Sequence, residues 1–391
     1  MKEQKIGIFS FFAGAGFLDL GFETIPAFTT LFVNEYHEPF MRMYKEARQT
    51  LSITAPEYGY FRRSIEDFLD KQHFHHLQSS LVEARKQFDI LGFIGGPPCP
   101  DFSIGGKNKG ASGDNGRLSG IYVDVICRSK PDFFLFENVK GLYRTAKHRE
   151  FFDSLKQKLI QSGYYITEKL INAIEYGVPQ DRERIILLGF KRSFLGDMGF
   201  ILNGSPLIKN FNWRLHTTFD AKDVFAKNWI GTEPFAEHSF KESPQNIPLE
   251  LTVEHWFRKN DVEHHPNSMH YFTPRAGLVK FQTIPEGDDK KKSYKRLHRW
   301  RYSPTAAYGN NEVHLHPYKA RRISVAEALA IQSLPKEFYL DEEITLSDMF
   351  KTIGNGVPYL AAQGLAKTIV DYLFNNPVKE VKMVYGETHS K

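Results

Sequence analysis

Apolar residues gather in short continuous runs over the first 190 positions, at Ile6–Phe12, Thr29–Asn34, Phe88–Gly92, Phe133–Phe136 and Ile185–Gly189. Runs of this length without alternation predict strands buried on both faces. Between them the spacing becomes helical, as at Phe151–Ser162, where apolar residues fall at 151, 152, 155 and 159. Strands alternating with helices predict an α/β domain with a doubly wound, mostly parallel sheet. From Lys191 the periodicity fades, and eight prolines between Pro206 and Pro304 punctuate polar segments. That pattern predicts a loop-rich second domain containing at most short strands. Regular structure returns at Ser324–Leu334, where Ser324 and Glu327 fit a capping box. It continues at Pro358–Phe374, an amphipathic helix opening on a proline. The tail Lys379–Lys391 is polar and predicted to fray, and the chain shows no repeat or low-complexity tract.

A length of 391 residues is more than one ordinary core needs, which implies two domains or one large domain with a big insertion. The pattern assigns 1–190 plus 321–391 to one and 191–320 to the other. Hydrophobic residues at 41% and charged residues at 25% exclude a disordered chain. No apolar run approaches the ~18 residues of a membrane span. Met1–Lys5 leads straight into Ile6 with no secretory core, and two cysteines cannot build a disulfide framework. A cytoplasmic location is therefore expected. His73, His75 and His76, and the pair His264-His265, have no Cys or Asp ligands nearby at a spacing suited to a metal and are read as solvated, with no metal site. Within 191–320 there are 19 Lys/Arg against 14 Asp/Glu, with nine of the fifteen histidines, while the rest of the chain is balanced. A neutral body carrying a basic insert suits a polyanionic partner.

Phe12-Ala13-Gly14-Ala15-Gly16-Phe17 follows the first strand, where glycines permit a tight strand-to-helix turn beside a ligand. The third glycine of a dinucleotide fingerprint is absent, since Asp19 occupies its place. Glu35 and Tyr36 end the second strand, offering a carboxylate to ribose hydroxyls and a ring to adenine. NAD and S-adenosyl-L-methionine both satisfy this pattern. Gly95-Gly96-Pro97-Pro98-Cys99 places a thiol on a rigid turn after a strand, as a nucleophile requires. Cys127, within an apolar run, reads as an inert buried thiol. The glycine-rich stretch Ile104–Leu118, with Lys107, Lys109 and Arg117, reads as a mobile basic loop over a phosphate-bearing substrate. Glu137 emerges from an apolar strand, which predicts a raised pKa and a general acid. Arg182 and Arg184 alternate onto one side of another strand.

Together these motifs resemble the DNA cytosine-5 methyltransferases of bacterial restriction–modification systems. The Phe-x-Gly-x-Gly turn, Pro-Pro-Cys, Glu137-Asn138-Val139, Gln180-x-Arg182-x-Arg184, Arg321–Glu327 and Gly354-Asn355-Gly356-Val357-Pro358 occur in the family's order over nearly the whole chain. The resemblance implies a class I S-adenosylmethionine-dependent methyltransferase fold with a smaller target-recognition domain at 191–320. It selects S-adenosyl-L-methionine over NAD. It implies Cys99 as nucleophile at C6 of cytosine, Glu137 as the acid at N3 and the amino group, and Arg184 as the holder of the base carbonyl, supported by Arg182. Phe12, Gly14, Gly16, Phe17, Leu18, Glu35, Tyr36, Ile65, Pro97, Asn355 and Val357 match cofactor positions. Ser103, Lys107, Lys109 and Arg117 are expected on double-stranded DNA. So are Lys290, Lys291, Lys292, Arg296 and Arg299 of a segment that packs seven basic residues and two aromatics into twelve positions. A cognate restriction endonuclease acting separately is the implied partner system. This chain departs from the family at Pro100, where Gln is usual, and at Val325, where proline is common. It departs also at Ser64, where an acid usually meets the adenine amino group, which leaves that contact to Asp67 or Glu66. An RNA-modifying relative would have a much reduced insert, and a nonenzymatic regulator would have lost some of Cys99, Glu137 and Arg184.

Overall fold

The computed structural model describes residues 5–98, 114–202, 204–274, 278–291, 293–306, 308, 312–375 and 380–381. Strands β1 (Ile6–Phe11), β2 (Phe28–Asn34), β3 (Tyr60–Phe61), β4 (Ile90–Gly95), β5 (Phe133–Val139), β6 (Tyr164–Asn172) and β7 (Glu183–Lys191) form one sheet, ordered β3-β2-β1-β4-β5-β7-β6. Pairing is parallel from β3 through β5. β7 alone is reversed, pairing antiparallel with both β5 and β6. The apolar runs therefore located five of the seven strands; β3 escaped notice because it is two residues long, and β6 because it carries Thr167, Glu168 and Lys169 in its middle.

Helices α1 (Phe17–Glu23), α2 (Glu38–Thr50), α3 (Lys71–Ala84), α4 (Asp114–Ser129) and α5 (Ala146–Gln161) link successive strands. Alternate residues of β1 feed opposite layers. Ile6 and Ile8 share a core with α1, whereas Phe9 and Phe11 pack with α3 and α4. The helix expected at Phe151–Ser162 begins five residues earlier, because the Thr145 hydroxyl accepts the His148 amide at 3.2 Å and caps it there.

Packing does not change at Lys191. Helix α6 (Arg192–Asp197) and Phe194, Leu195, Phe200, Ile208 and Phe211 join the core beneath the sheet, and β8 (Ile201–Leu202) follows. Beyond Phe211 the chain is loop-rich as expected, with only α7 (Ala221–Ala226), α8 (Val253–Lys259), α9 (Leu278–Thr283) and short 3-10 turns among the described residues. Among the described residues it carries isolated β-bridges there and no strand longer than that. Helices α10 (Val325–Ile331) and α11 (Leu346–Asn355) build a third core with Trp256, Phe257, Leu297 and Val313 of the insert. The capping box exists as read: the Ser324 amide donates to Glu327 at 2.7 Å and the Glu327 amide to the Ser324 hydroxyl at 3.2 Å. Helix α12 (Tyr359–Val370) starts after Pro358 and returns to pack on α1, and β9 (Glu380–Val381) pairs with β8. Among the described residues, no helix is long and apolar enough to cross a membrane.

Candidate functional site

A cavity of about 580 Å³ opens at the carboxyl edge of β1, β2, β4 and β5. That edge is where open α/β sheets bind their ligands. Its walls include Phe12, Gly14, Phe17, Leu18, Glu35, Tyr36, Ile65, Pro97, Asn355 and Val357, all of them expected. Gly16 stands behind the wall. Its φ of 84° is left-handed, and a Cβ there would lie 2.8 Å from Tyr44 and Arg48, so the turn accepts only glycine. Behind it, Asp19 accepts hydrogen bonds from Ser10 at 2.8 Å and Tyr44 at 2.7 Å. Burial pushes its carboxyl up to about 6, against the pull of Arg48. The residue in place of the third glycine is thus an internal brace of the turn.

Glu35 is the buried carboxylate at one end of the cavity. One oxygen accepts the Gly14 amide at 2.9 Å and the other the His37 amide at 2.8 Å. Burial raises its pKa above the ordinary range, and these amides oppose the rise. The neighbouring Tyr36 is 71% exposed, a free ring at the rim. Ser64 lines the cavity and caps a 3-10 turn by accepting the Glu66 amide. Glu66 is ion-paired with Arg117 and Asp67 lies 4.0 Å from Arg63; neither is among the cavity walls. Sequence reading missed His37, Phe40, Asn138, Lys351 and Thr352 as wall residues. Thr352 was findable, since it sits one helical turn before Asn355 on α11.

The catalytic candidates meet at the cavity's other end. Val139 of β5 pairs with Arg184 at the start of β7, and the Arg184 Nε donates to Glu137 Oε1 at 2.8 Å. Burial raises the Glu137 pKa, while Arg184 and Arg182 pull it down. The glycine-proline turn approaches closely: a Cβ on Gly96 would lie 2.5 Å from Glu137 Oε2. Pro97 and Pro98 line the cavity beside it. Arg182 is fully buried and points elsewhere, donating to the carbonyls of Ala306 at 3.0 Å, Gly354 at 2.7 Å and Gly356 at 3.0 Å. It positions the strip carrying Asn355 and is not a wall of the cavity. Cys99, Ser103, Lys107, Lys109 and Lys292 lie outside the described residues. Cys127 is half-buried in a site that raises its thiol pKa, as an inert cysteine should be.

Two expectations for the insert are corrected. Arg296 is fully buried, its guanidinium donating to the carbonyls of Phe281, Ile284 and His316 and lying over the Phe235 ring. Arg299 is 3% exposed and grips the buried Glu286 through two bonds of 2.8 and 2.9 Å, with Ser239 beside it. Both side chains hold the insert together and offer no charge to a polyanion. Their partners are a distant carboxylate and backbone carbonyls, which a count of local charge cannot register. Lys290 and Lys291 are exposed as expected, and Arg117 is exposed but already paired with Glu66.

Comparison with known proteins adds an independent line. The family described as C-5 cytosine-specific DNA methylase matches residues 6–371. The chain is 59% identical to the Type II methyltransferase M.NmeDI of Neisseria meningitidis serogroup C over 375 residues, covering 96% of this chain and 86% of that one. Among solved structures, a candidate DNA modification methyltransferase encoded within an E. coli prophage superposes with a TM-score of 0.62 at 20% identity, covering 95% of this chain and 100% of that one. The Dnmt2 methyltransferase of S. pombe gives 0.58 at 12% identity, with the same coverage. Both structures share the class I methyltransferase fold seen here. The match over almost the whole chain settles the family: this protein is a member of the C-5 cytosine-specific DNA methylases.

Proposed function

We propose that the protein transfers a methyl group from S-adenosyl-L-methionine to C5 of a cytosine flipped out of a specific duplex DNA sequence. The observation that carries this reading is one cavity with two chemistries. Glu35 and the Gly14 turn form a nucleoside cradle at one end, and the Glu137–Arg184 pair lies at the other, beside the turn that leads into Cys99. The residues suit the cofactor: Glu35 retains lone pairs for ribose hydroxyls, Tyr36 offers a face to adenine, and Asn355 and Val357 line the far wall. When bound, S-adenosyl-L-methionine supplies an electrophilic methyl group on a sulfonium. Residues 1–190 and 321–391 carry this chemistry in the proposal, and the insert reads DNA, Lys290, Lys291 and Lys292 among its contacts.

Cytosine C5 is a weak nucleophile, so the protein must activate it. The Cys99 thiolate adds to C6 while Glu137 donates a proton or hydrogen bond at N3 and Arg184 holds the base carbonyl. The C5–C6 π pair moves onto C5, which becomes enamine-like and able to accept the methyl group, with the thioether S-adenosyl-L-homocysteine released. Loss of the C5 proton to a base breaks the C6–sulfur bond and returns the thiolate. Arg184 has a second task, since its ion pair orients the Glu137 carboxyl toward the base. Flipping the base costs a few kcal/mol, roughly, which contacts to the duplex must offset. We assign the protein to the protective arm of a restriction–modification system in the cytoplasm, beside a separately acting endonuclease.

Duplex DNA carrying 5-fluorocytosine tests the mechanism, because fluorine blocks the final elimination. With S-adenosyl-L-methionine present, wild-type protein should form a covalent complex that survives denaturing electrophoresis, and Cys99→Ser should form none while still binding DNA. No trapped complex with wild-type protein across a pool of sequences would sink the adduct. Bisulfite sequencing of plasmid DNA treated with protein and cofactor then reads the recognised word.

A further inference from the structure

With Arg296 and Arg299 turned inward, the cations that do face solvent near the cavity gain weight. Directly after Glu137-Asn138-Val139, the ten residues from Lys140 to Arg149 include Lys140, Arg144, Lys147 and Arg149 and no Asp or Glu. All four side chains are exposed. Lys140 is paired with Glu183 at 2.7 Å, but no carboxylate among the described residues pairs with Arg144, Lys147 or Arg149. Other exposed cations among the described residues are of both kinds, Lys86, Lys158, Arg214 and Arg258 sitting on carboxylates and Lys71, Lys169 and Lys222 not, so what sets this run apart is its density and its place at the cavity's edge.

Topology fixes where these residues stand. β5 lies parallel to β4, so the connection leaving its end and the first turn of α5 occupy the same sheet edge as Glu137. The support is rigid. His148, the inward member of the run, bonds the Gly141 carbonyl at 3.1 Å and ties the helix start to the preceding 3-10 turn. Helix α5 runs for 16 residues with no acid in its first turn. The positive end of a helix dipole favours carboxylates and disfavours lysine, so stability alone would not select Lys147 there. Cations added to the unpaired amides of a helix start make a phosphate site.

We propose that Arg144, Lys147 and Arg149 form a phosphate-binding rim that grips the DNA backbone beside the flipped base. The rim stands on the catalytic side of the cleft, apart from the insert, and it rests on the reading of the chain as a duplex-modifying methyltransferase. It touches backbone and not base edges, so it sets affinity and leaves the recognised word to the insert.

Fluorescence anisotropy with two short duplexes of unrelated sequence, over a series of salt concentrations, tests the rim. The variants are Arg144→Ala/Lys147→Ala/Arg149→Ala and, separately, Lys147→Glu. Each phosphate contact contributes about 0.9 to the slope of log affinity against log salt, so the triple variant should flatten that slope by about 2.7. It should weaken both duplexes alike and leave cofactor affinity unchanged in calorimetry. Lys147→Glu separates binding from folding. A carboxylate at the helix start should hold or raise the melting temperature while duplex affinity falls. A triple variant with the wild-type slope and affinities overturns the rim, as does a Lys147→Glu variant whose affinity falls only in step with a lowered melting temperature. Wild-type protein that binds no duplex at low salt overturns the parent reading instead.

Discussion

Glu35→Gln keeps the shape of the cavity's buried acid and removes its charge. In the native protein its two oxygens accept separate backbone amides, from Gly14 at 2.9 Å and His37 at 2.8 Å. A carboxamide can serve only one of them, and its NH₂ then meets the other amide donor to donor. Leaving a buried donor unpaired costs ~1–3 kcal/mol, which urea unfolding should show as a lower midpoint. The exchange also removes a charge-assisted bond to a ribose hydroxyl, a loss of ~1.5–3 kcal/mol in binding. At ~1.4 kcal/mol per decade that is a ~10- to 150-fold weaker affinity for S-adenosyl-L-methionine by titration calorimetry. The pH profile gives a second readout. Because burial raises the Glu35 pKa, the carboxylate takes up its proton sooner on acidification than an ordinary glutamate. Wild-type affinity should therefore fade as pH drops through that raised value, and the variant should lack this limb. Equal affinities with matching pH profiles would refute the assignment of Glu35 to the ribose.

Two further outcomes follow from the geometry. Glu137→Gln should slow transfer of tritiated methyl groups by ~10²–10⁴-fold at unchanged cofactor affinity, since general acids contribute on that order. Burial lets Glu137 keep its proton above the ordinary range, so the wild-type rate should fall as pH rises through the raised value, and a variant with the same falling limb would exclude Glu137 as its source. Arg299→Ala should remove two bonds from the buried carboxylate of Glu286, which keeps Lys241 at 3.1 Å and the backbone amide of position 299, and so destabilise the protein by ~1–3 kcal/mol in urea, with no change in the salt slope of DNA binding. A flattened slope at unchanged stability would return Arg299 to the DNA surface.

What could be read from the sequence was whatever a short stretch of chain encodes by itself. Ser324 and Glu327 announce their capping box because both partners lie within four residues. Glu35 was legible because the strand before it ends on it. Glu137 was legible because its carboxylate interrupts an apolar run. The failures share the opposite property. Arg299 depends on Glu286 across a turn of the insert, and Arg296 on carbonyls as far off as His316. Arg182 is bound to Gly354 and Gly356, more than 170 positions away, which alternation along its own strand could not foretell. The reversal of β7 was likewise hidden, since a strand buried on both faces has the same composition in either direction.

That reversal makes the two roots of the insert unequal. Because β7 starts at the cavity, the chain leaves the active edge at Arg184 and emerges on the remote side at Lys191, where Phe194 to Phe211 bed it under the sheet. The returning end is fastened at the active edge itself. Ser303 exchanges backbone bonds with Pro179 and Asp181, the Thr305 hydroxyl donates to the Asp181 carbonyl at 2.6 Å, and the Ala306 amide donates to Gln180 at 3.0 Å. Both roots are fastened to the body, but only the returning one at the cavity: past Phe211 the outgoing chain is held through the Trp213 ring N–H on Thr167 at 3.2 Å and the Thr218 and Phe219 amides on the Glu175 carbonyl. A chimaera of two relatives joined between Pro304 and Ala306 therefore cuts the carbonyl anchor of Arg182 and with it the setting of the strip that carries Asn355, which a junction on the outgoing side leaves in place.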